Sequence, residues 1–345
     1  MPLHNKSEVP ALLALWLAID TYDYNSDPKY ISVTTLIKPP RKLALERRLT
    51  KEQRKEVDVI HMLRSRLGTA VHDSVERVWK DDELRKRGLE MLGYEPEDIE
   101  AILINPTEKQ LKDNPNCIPV YIERRRHKEI AGMIVGGKYD FIPDGKLDDI
   151  KCTSTYSWMG MKDEDYIKQL SIYRWLNLDI VTSRKGRISF VFTDWKKKFV
   201  ETYKDYPPLP TMSKEFTLFT TSQTEQYLTD RITEIKKLDA METPDLPLCS
   251  REDLWQGDDV WEYYNFFRGK YNKTPAKKFK TAEEANAHHD ARVAAGEQGK
   301  IVAVLGKVKA CEYCAAELVC DQRKMLQEQG LYIPPEDLLE VLNID

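Results

Sequence analysis

The chain has 345 residues, of which 41% are hydrophobic and 32% are charged, a composition typical of a globular protein in water. Its net charge of −4 excludes a uniformly basic nucleic-acid-binding protein but allows a locally basic groove. The apolar run near the start is shorter than the roughly 20 residues of a membrane span. Polar residues precede that run, so we predict neither a membrane helix nor a signal peptide. Six cysteines without a secretory signal indicate a reducing cytoplasm.

Hydrophobic spacing and turn residues predict helices and strands along the whole chain. A strand-like start, a Pro-Pro break and a basic helix are predicted over 29–49, and a polar loop over 105–116. The other predicted helices cover 8–22, 57–80, 82–104, 164–177, 223–240 and 281–295. Strands are predicted at 118–123, 129–135, 137–142, 147–153 and 187–195. This order predicts a mixed α/β sheet with helices on its faces. We place a helical N-terminal region at 1–56, the core at 57–245 and a cysteine-containing C-terminal lobe at 246–345.

The stretch GGKYDFIPDGKLDDIKCTS, residues 136–154, puts charged side chains on two adjacent strands. Residues two apart share one face of a strand, so Asp149 and Lys151 point the same way. The turn PDGK can bring Asp140 of the preceding strand close to Asp149. Two such carboxylates repel unless a cation lies between them, and hard oxygen ligands suit Mg²⁺ or Mn²⁺. A charged hairpin that faces solvent fits the same residues equally well.

Two helical segments carry further candidate residues. In LGTAVHDSVE, Gly68 and His72 are four apart and share a helix face, where an imidazole can bind a metal. In YIKQLSIYRWL, Gln169 and Tyr173 share a face in the same way. Taken alone, each pair is more often ordinary helix surface or core.

In this order the motifs resemble the RecB-type branch of the PD-(D/E)XK nucleases, which have a restriction-endonuclease-like mixed sheet. Gly68 and His72 come first, followed by the Gly137-x-x-Asp140 motif. Asp149-x-Lys151 and then Gln169-x-x-x-Tyr173 complete the set. The branch includes nuclease domains of helicase–nucleases, a CRISPR adaptation nuclease family and phage exonuclease-like proteins. The likeness spans about residues 29–195, and the order of four weak motifs is more specific than any one of them.

The resemblance implies a role for each matching residue. It implies that His72, Asp140, Asp149 and the backbone carbonyl of Ile150 bind Mg²⁺ or Mn²⁺. It implies that Lys151 is the catalytic lysine. By the same comparison, Gln169 and Tyr173 position the substrate beside the catalytic carboxylates.

Two glutamates are accessory candidates. Glu123 stands where relatives often carry an acidic residue, although it can equally pair with Arg124–Arg126. Glu76, one turn beyond His72, is a candidate for orienting that imidazole, and an exposed helix residue is the simpler interpretation.

Three cysteines near the C-terminus have a spacing typical of metal ligands. Cys311, Cys314 and Cys320 resemble the C-terminal triad of iron–sulfur members of the family. In those members a fourth cysteine precedes the His motif, but Pro39 stands at that place here. We expect Cys249 to be the fourth ligand of an iron–sulfur cluster, with zinc on the same four cysteines as the alternative. His288 or His289 could instead complete a Cys3His zinc site, and free thiols are the remaining interpretation. Cys117 and Cys152 are predicted to be buried and structural.

The resemblance implies a metal-dependent DNA nuclease, with exonuclease the expected mode, in DNA recombination, repair or processing. The alternative is a nucleic-acid-binding or partner-activated subunit that has little catalysis of its own. Expected partners are DNA and, by analogy, a recombinase, a single-strand-binding protein or a helicase. The expected location is the cytoplasm, which is that of the host if the protein is phage-encoded.

Two segments near the C-terminus could bind nucleic acid. The aromatic run at 261–267 could stack bases, and the basic run at 277–280 could contact phosphates.

Overall fold

The computed structural model describes residues 3–160 and 163–334. The described residues form two compact units. The first unit comprises those of Met1–Lys38 and Glu56–Lys237, and the second comprises those of Pro39–Lys55 and Leu238–Asp345. Within the described ranges, no helix has the length and apolar character needed to cross a membrane.

The strands form several sheets. In chain order they are β1 (Leu3–His4), β2 (Tyr30–Ser32), β3 (Val57–Asp58), β4 (Ile102–Ile104), β5 (Ile118–Ile122), β6 (Arg125–Ile130), β7 (Met133–Lys138), β8 (Phe141–Pro143), β9 (Leu147–Thr153), β10 (Lys185–Phe192), β11 (Thr211–Thr217), β12 (Val260–Phe267), β13 (Lys270–Tyr271), β14 (Lys277–Phe279) and β15 (Gly299–Val304). The main sheet of the first unit has the order β11-β10-β9-β8-β5-β4. It is mixed, because β9 pairs parallel with β10 and antiparallel with β8.

The helices flank these sheets. In chain order they are α1 (Ala11–Ala18), α2 (Val33–Leu36), α3 (Pro40–Arg48), α4 (Leu63–Lys80), α5 (Asp82–Met91), α6 (Pro96–Ala101), α7 (Glu108–Asp113), α8 (Thr155–Met159), α9 (Asp163–Leu176), α10 (Lys197–Val200), α11 (Thr221–Asp239), α12 (Ala282–Ala294) and α13 (Asp321–Glu328). Both α4 and α9 contact the central strand β9. The predicted fold class, a mixed α/β sheet flanked by helices with cysteines in the C-terminal part, is confirmed.

The core of the first unit follows from strand alternation. Ile188 and Phe190 of β10 point to one side of the sheet and are at most 1% exposed. Leu170 and Ile172 of α9 are fully buried, as expected for apolar side chains that a helix presents to a sheet. This packing holds α9 against β9, the strand that carries Asp149.

The predicted regions differ from the observed units: the described residues of 1–38 join the first unit, whereas 39–55 and 238–245 belong to the second. Of these segments, 39–55 is the one farthest along the chain from the rest of its unit. Helix α3 lies in this segment and buries Ala44 and Leu45 in a cluster with Leu238 and Leu246. Those partners are distant in sequence, so local patterning could not assign α3 to the second unit.

Several local predictions were also wrong. The helix predicted at 82–104 consists of α5 and α6 and is followed by strand β4, and the helix predicted at 57–80 begins with strand β3. Cys117 and Cys152, predicted to be buried, are half-buried.

The stretch predicted as a loop at 105–116 contains α7, which begins with a capping box formed by Thr107 and Gln110. The strands predicted at 129–135 and 137–142 are shifted, because the chain turns at Ala131 and Gly132, both with positive φ. The basic segment at 125–130 is therefore strand β6, which pairs with β7.

Candidate active site

The β8–β9 hairpin places two aspartates side by side. Phe141 pairs with Asp148 across the hairpin, so Asp140 and Asp149 are the next two residues along it. Oδ2 of Asp140 accepts a hydrogen bond of 2.8 Å from the backbone amide of Ile150. The hairpin therefore fixes the carboxylate of Asp140 beside the residue that follows Asp149.

Two further side chains join Asp140. Nδ1 of His72, on α4, lies 3.5 Å from Oδ1 of Asp140 and 3.9 Å from Oε1 of Glu123. The donor atoms of His72, Glu123 and Asp140 all lie within 4.8 Å of one another. Among the described residues, this is the one group of three His, Cys, Asp or Glu residues that meets this distance. The structure thus brings together two predicted metal ligands and the accessory candidate Glu123.

Glu123 has an unusual backbone. Its φ of 54° lies in the left-handed region, which non-glycine residues adopt rarely and often at functional sites. Its amide donates to the carbonyl of Asp140 at 3.1 Å, and its carboxylate pairs with Lys138. This conformation turns the Glu123 side chain toward His72 at the end of β5.

Asp149 and Lys151 lie together on β9. Nζ of Lys151 is 2.5 Å from Oδ2 of Asp149, and Nε2 of Gln169 donates to Oδ1 of Asp149 at 3.1 Å. Asp149 is 3% exposed, and its buried Oδ2 faces the Lys151 ammonium. Burial raises the pKa of Asp149, Lys151 opposes that rise, and the charge of Asp140 adds to it.

The site has a negative potential that favours cations. Burial disfavours a charged imidazole at His72, but hydrogen bonds with Asp140 and Glu123 outweigh it and raise the pKa of His72 to about 10. Lys138 responds in the same sense, since its pairing with Glu123 outweighs its burial and raises its pKa. The carboxylates of Glu123, Asp140 and Asp149 thus stabilise nearby positive charge.

The residues present fit a hard divalent cation. One imidazole and two carboxylates converge, with Asp149 on the neighbouring strand, and carboxylate oxygens are the ligands that Mg²⁺ and Mn²⁺ prefer. The donor atoms of His72, Glu123 and Asp140 lie within 4.8 Å of one another, close enough for one cation to contact all three. The backbone amide of Ile150 donates a hydrogen bond to Asp140, and its carbonyl remains a proposed ligand.

Gln169 and Tyr173 lie beneath the cluster and not on its surface. They are 4% and 5% exposed, and Gln169 contacts Asp149. This burial differs from the substrate contact that the resemblance implies, because neither side chain faces solvent. Tyr173 packs so closely on β7 that a Cβ at Gly137 would lie 2.6 Å from its ring.

The other two accessory candidates have different surroundings. A Cβ at Gly68 would lie 3.9 Å from Cβ of Cys152, an ordinary contact, so the approach of α4 to β9 does not require glycine there. Glu76 forms an ion pair with Lys80, one turn further along α4.

Sequence reasoning did not assign the roles of two charged residues, one at the site and one next to it in the chain. Lys138 pairs with Glu123, and its only sequence signal is its place two residues before Asp140. Asp148 looks like a second candidate beside Asp149, but it points to the other face of β9. There it accepts hydrogen bonds from Arg187 and Ser189 at 2.7 Å each.

The second unit contains a cavity that four cysteines share. Cys249, Cys311, Cys314 and Cys320 line a cavity of about 40 Å³, and Pro39 also lines it. This volume exceeds the roughly 10–15 Å³ that one water molecule needs. Cys311 and Cys320 are buried and all four are free thiols. Cys249 thus lines the same cavity as the C-terminal triad and Pro39, although no three of the four sulfur atoms lie within 4.8 Å of one another.

Gln322 and Arg41 also line this cavity, and both hydrogen-bond to backbone groups. Gln322 holds the backbone of Cys249 at both ends, accepting from its amide at 2.8 Å and donating to its carbonyl at 3.0 Å. Arg41 is 1% exposed and donates to the carbonyl of Leu246 at 2.8 Å. Burial raises the pKa of Cys249 to about 11, and Arg41 opposes this rise. His288 lies elsewhere, with its ring centroid 4.8 Å from that of Tyr263.

No known protein family matches the sequence, and no curated protein matches it. Two solved structures resemble parts of the chain. The protein SSO0001 is 18% identical, with a TM-score of 0.36 over 61% of this chain and 78% of its own. A phage-related exonuclease from Haemophilus somnus 129PT is 14% identical, with a TM-score of 0.24 over 35% of this chain and 60% of its own. At these TM-scores the likenesses carry no inference about the chemistry of this chain.

Proposed function

We propose that this chain is a metal-dependent DNA nuclease that hydrolyses phosphodiester bonds, with exonuclease action as its expected mode. The observation that supports the proposal best is one cluster beside the main sheet. His72, Glu123 and Asp140 converge within 4.8 Å, and Asp149 and Lys151 stand beside them on β9. A solvent-facing hairpin would leave these side chains exposed, whereas Asp149 is 3% exposed and Asp140 is tied to the backbone of Ile150.

Each residue has a proposed task. His72, Glu123, Asp140 and Asp149 would hold a Mg²⁺ or Mn²⁺ ion, with the Ile150 carbonyl as a further proposed ligand. When bound, the ion would stabilise the negative charge that builds on the phosphate. Nζ of Lys151 lies beside Oδ2 of Asp149, where it can orient the attacking water or the phosphate.

Gln169 has a supporting role in this proposal. Its amide donates to Oδ1 of Asp149 and so turns the other oxygen, Oδ2, toward Lys151. Groups that orient metal ligands in this way are often nearly as important as the ligands themselves. Tyr173 fills the space behind Gly137 and supports the strand that precedes Asp140.

We also propose that the four cysteines of the second unit bind one metal centre, an iron–sulfur cluster or, as the alternative, zinc. The shared cavity and the two hydrogen bonds that fix Cys249 support this assignment. Its role would be structural, since four thiolate ligands leave a zinc site closed to substrate.

A second candidate function is a DNA-binding or partner-activated subunit on the same fold. Pro39, at the place of the fourth cysteine in relatives, favours it, because this chain departs there from the family pattern. In either case DNA is the proposed ligand, and a recombinase, a single-strand-binding protein or a helicase is the proposed class of protein partner.

Cleavage assays on linear duplex, single-stranded and closed-circular DNA distinguish the two candidate functions. Wild type and Asp149→Asn would be incubated with end-labelled linear duplex, single-stranded DNA and closed circles, in Mg²⁺, Mn²⁺ or EDTA. An exonuclease degrades the linear forms alone, and only with metal and an intact Asp149. Cleavage of circles would assign an endonuclease. Binding without cleavage by the metal-loaded wild type would favour the second candidate.

A further inference from the structure

One face of the small sheet in the second unit carries aromatic and basic side chains. Strand β12 lies in its centre, with β15 on one side and β13 and β14 on the other. Tyr264 pairs directly with Lys300 of β15, and Phe266 pairs with Tyr271 of β13. Directly paired residues share a face, so Tyr264, Phe266, Tyr271 and Lys300 lie on the same side. We call these four residues the aromatic face.

The aromatic face is a contiguous patch. The rings of Phe266 and Tyr271 meet edge to face, with centroids 5.0 Å apart. Nζ of Lys300 lies 4.6 Å from the Tyr271 ring centroid and 5.9 Å from that of Tyr264. Tyr271 is 43% exposed, and Lys300 is exposed as well. Stacking surface and positive charge are therefore available at one place.

The opposite face of this sheet is the buried one. Tyr263 is fully buried in a cluster with Phe279 and with Ala285 of α12. Its ring centroid lies 4.8 Å from that of His288, also on α12. Since α12 satisfies the hydrophobic requirement of that side, the rings of the aromatic face are not needed for the same core.

Charge around the aromatic face favours a polyanion. Residues 263–282 contain six basic side chains and no acidic one. The nearby acid on this side, Glu262, is paired with Lys278 at 2.7 Å. The hairpin turn at Arg268 and Gly269, both with positive φ, projects further basic residues beyond the end of β12.

We propose that the aromatic face binds single-stranded DNA, with bases stacked on Phe266 and Tyr271 and phosphates held by Lys300 and the neighbouring lysines. Unpaired bases expose the π-faces that stack on such rings, whereas a duplex hides them. The choice of DNA over RNA rests on the proposed function, but the binding itself does not depend on the candidate active site.

The test is fluorescence anisotropy with full-length protein and a labelled single-stranded oligonucleotide, in EDTA so that nothing is cleaved. Phe266→Leu and Tyr271→Leu should each raise the Kd roughly five- to a hundredfold, the effect of losing one stacked base. Tyr271→Trp, which keeps an aromatic surface, should retain binding. Lys300→Ala should reduce the slope of log Kd against log salt by about 0.7. Tyr94→Leu, at a tyrosine of the first unit that is 54% exposed, is the matched control and should bind like wild type.

The outcomes separate this inference from the proposed function. Wild-type affinity in folded Phe266→Leu and Tyr271→Leu proteins, or no single-strand binding by wild type, would overturn the inference alone. Tighter binding of single-stranded RNA than DNA would overturn the assignment of DNA. A protein that binds through the aromatic face but cuts no DNA with metal would contradict the nuclease and leave this binding surface standing.

Discussion

Asp140 accepts a hydrogen bond from the backbone amide of Ile150 across the β8–β9 hairpin, at 2.8 Å. The same carboxylate lies 3.5 Å from His72, so one side chain serves both the hairpin and the candidate metal site. This double use separates two substitutions. Asp140→Asn keeps an oxygen that can accept from Ile150, whereas Asp140→Ala removes it.

We therefore expect Asp140→Asn to abolish cleavage with little loss of stability. Asp140→Ala should be equally inactive and about 1–3 kcal/mol less stable than the Asn variant, because the Ile150 amide is left with no acceptor from this side chain. Urea unfolding and a cleavage assay measure the two effects. Equal stabilities would show that the hydrogen bond adds nothing, and an active Asn variant would remove Asp140 from the site.

Gln169→Leu tests the support beneath the metal ligands. It removes the donor to Oδ1 of Asp149, so we expect the apparent affinity for Mn²⁺ in the cleavage reaction to fall about 10–100-fold. Excess Mn²⁺ should restore part of the rate. Gln223→Leu, on the exposed start of α11, is the control and should leave the metal dependence unchanged. A Gln169→Leu protein with wild-type metal dependence would contradict the positioning role.

The two glycines of the motif set should respond in opposite ways to alanine. At Gly137 a Cβ would lie 2.6 Å from the Tyr173 ring and 2.9 Å from Val33, so Gly137→Ala should cost about 1–3 kcal/mol of stability. At Gly68 the nearest atom is 3.9 Å away, and alanine in a helix is favoured over glycine. Gly68→Ala should therefore stabilise the protein by about 0.5–1 kcal/mol. Thermal unfolding of both variants checks the signs, and a destabilised Gly68→Ala would refute the spacing at α4.

We expect the purified protein to contain a metal bound at the cysteine site, and we expect its retention to require Cys249. Elemental analysis of anaerobically purified wild type should find iron or zinc, and Cys249→Ser should lose most of it. Cys117→Ser, at a half-buried cysteine of the first unit, should keep the full content. Gln322→Leu should lower the content partially, because Cys249 would lose both of its backbone hydrogen bonds. Full metal content in Cys249→Ser would exclude Cys249 as a ligand.

The sequence predicted the elements of the site better than the contacts within it. Strand β9 was predicted at its observed bounds, 147–153, because its charged and apolar residues and the turn before it leave few alternatives. Helix α9 was predicted within one residue at each end. The pairing of Gln169 with Asp149 and of Lys138 with Glu123 joins residues 20 and 15 positions apart. Such pairs depend on tertiary packing, which the local spacing of hydrophobic residues does not indicate.

The elements that were predicted wrongly depend either on tertiary packing or on a local sequence signal other than hydrophobic spacing. The start of helix α7 could have been predicted from Thr107 and Gln110, whose spacing is that of a capping box. The shift of β6 and β7 follows from the turn at Ala131–Gly132. The strands were predicted from apolar runs, which do not indicate this turn. The assignment of α3 to the second unit depends on Leu45 packing near Leu246, about 200 residues away, and no local pattern reports it.

The most direct test of the central claim is the single-turnover cleavage rate of linear DNA by wild type and Lys151→Met in Mg²⁺. Lys112→Met, at an exposed lysine of α7, is the matched control. We expect metal-dependent cleavage by wild type and by Lys112→Met, and a loss of at least about a hundredfold in Lys151→Met, the size expected when one charge-stabilising group is removed. Cleavage by Lys151→Met at the wild-type rate, or wild-type cleavage that persists in EDTA, would contradict a metal-dependent nuclease centred on Asp149 and Lys151.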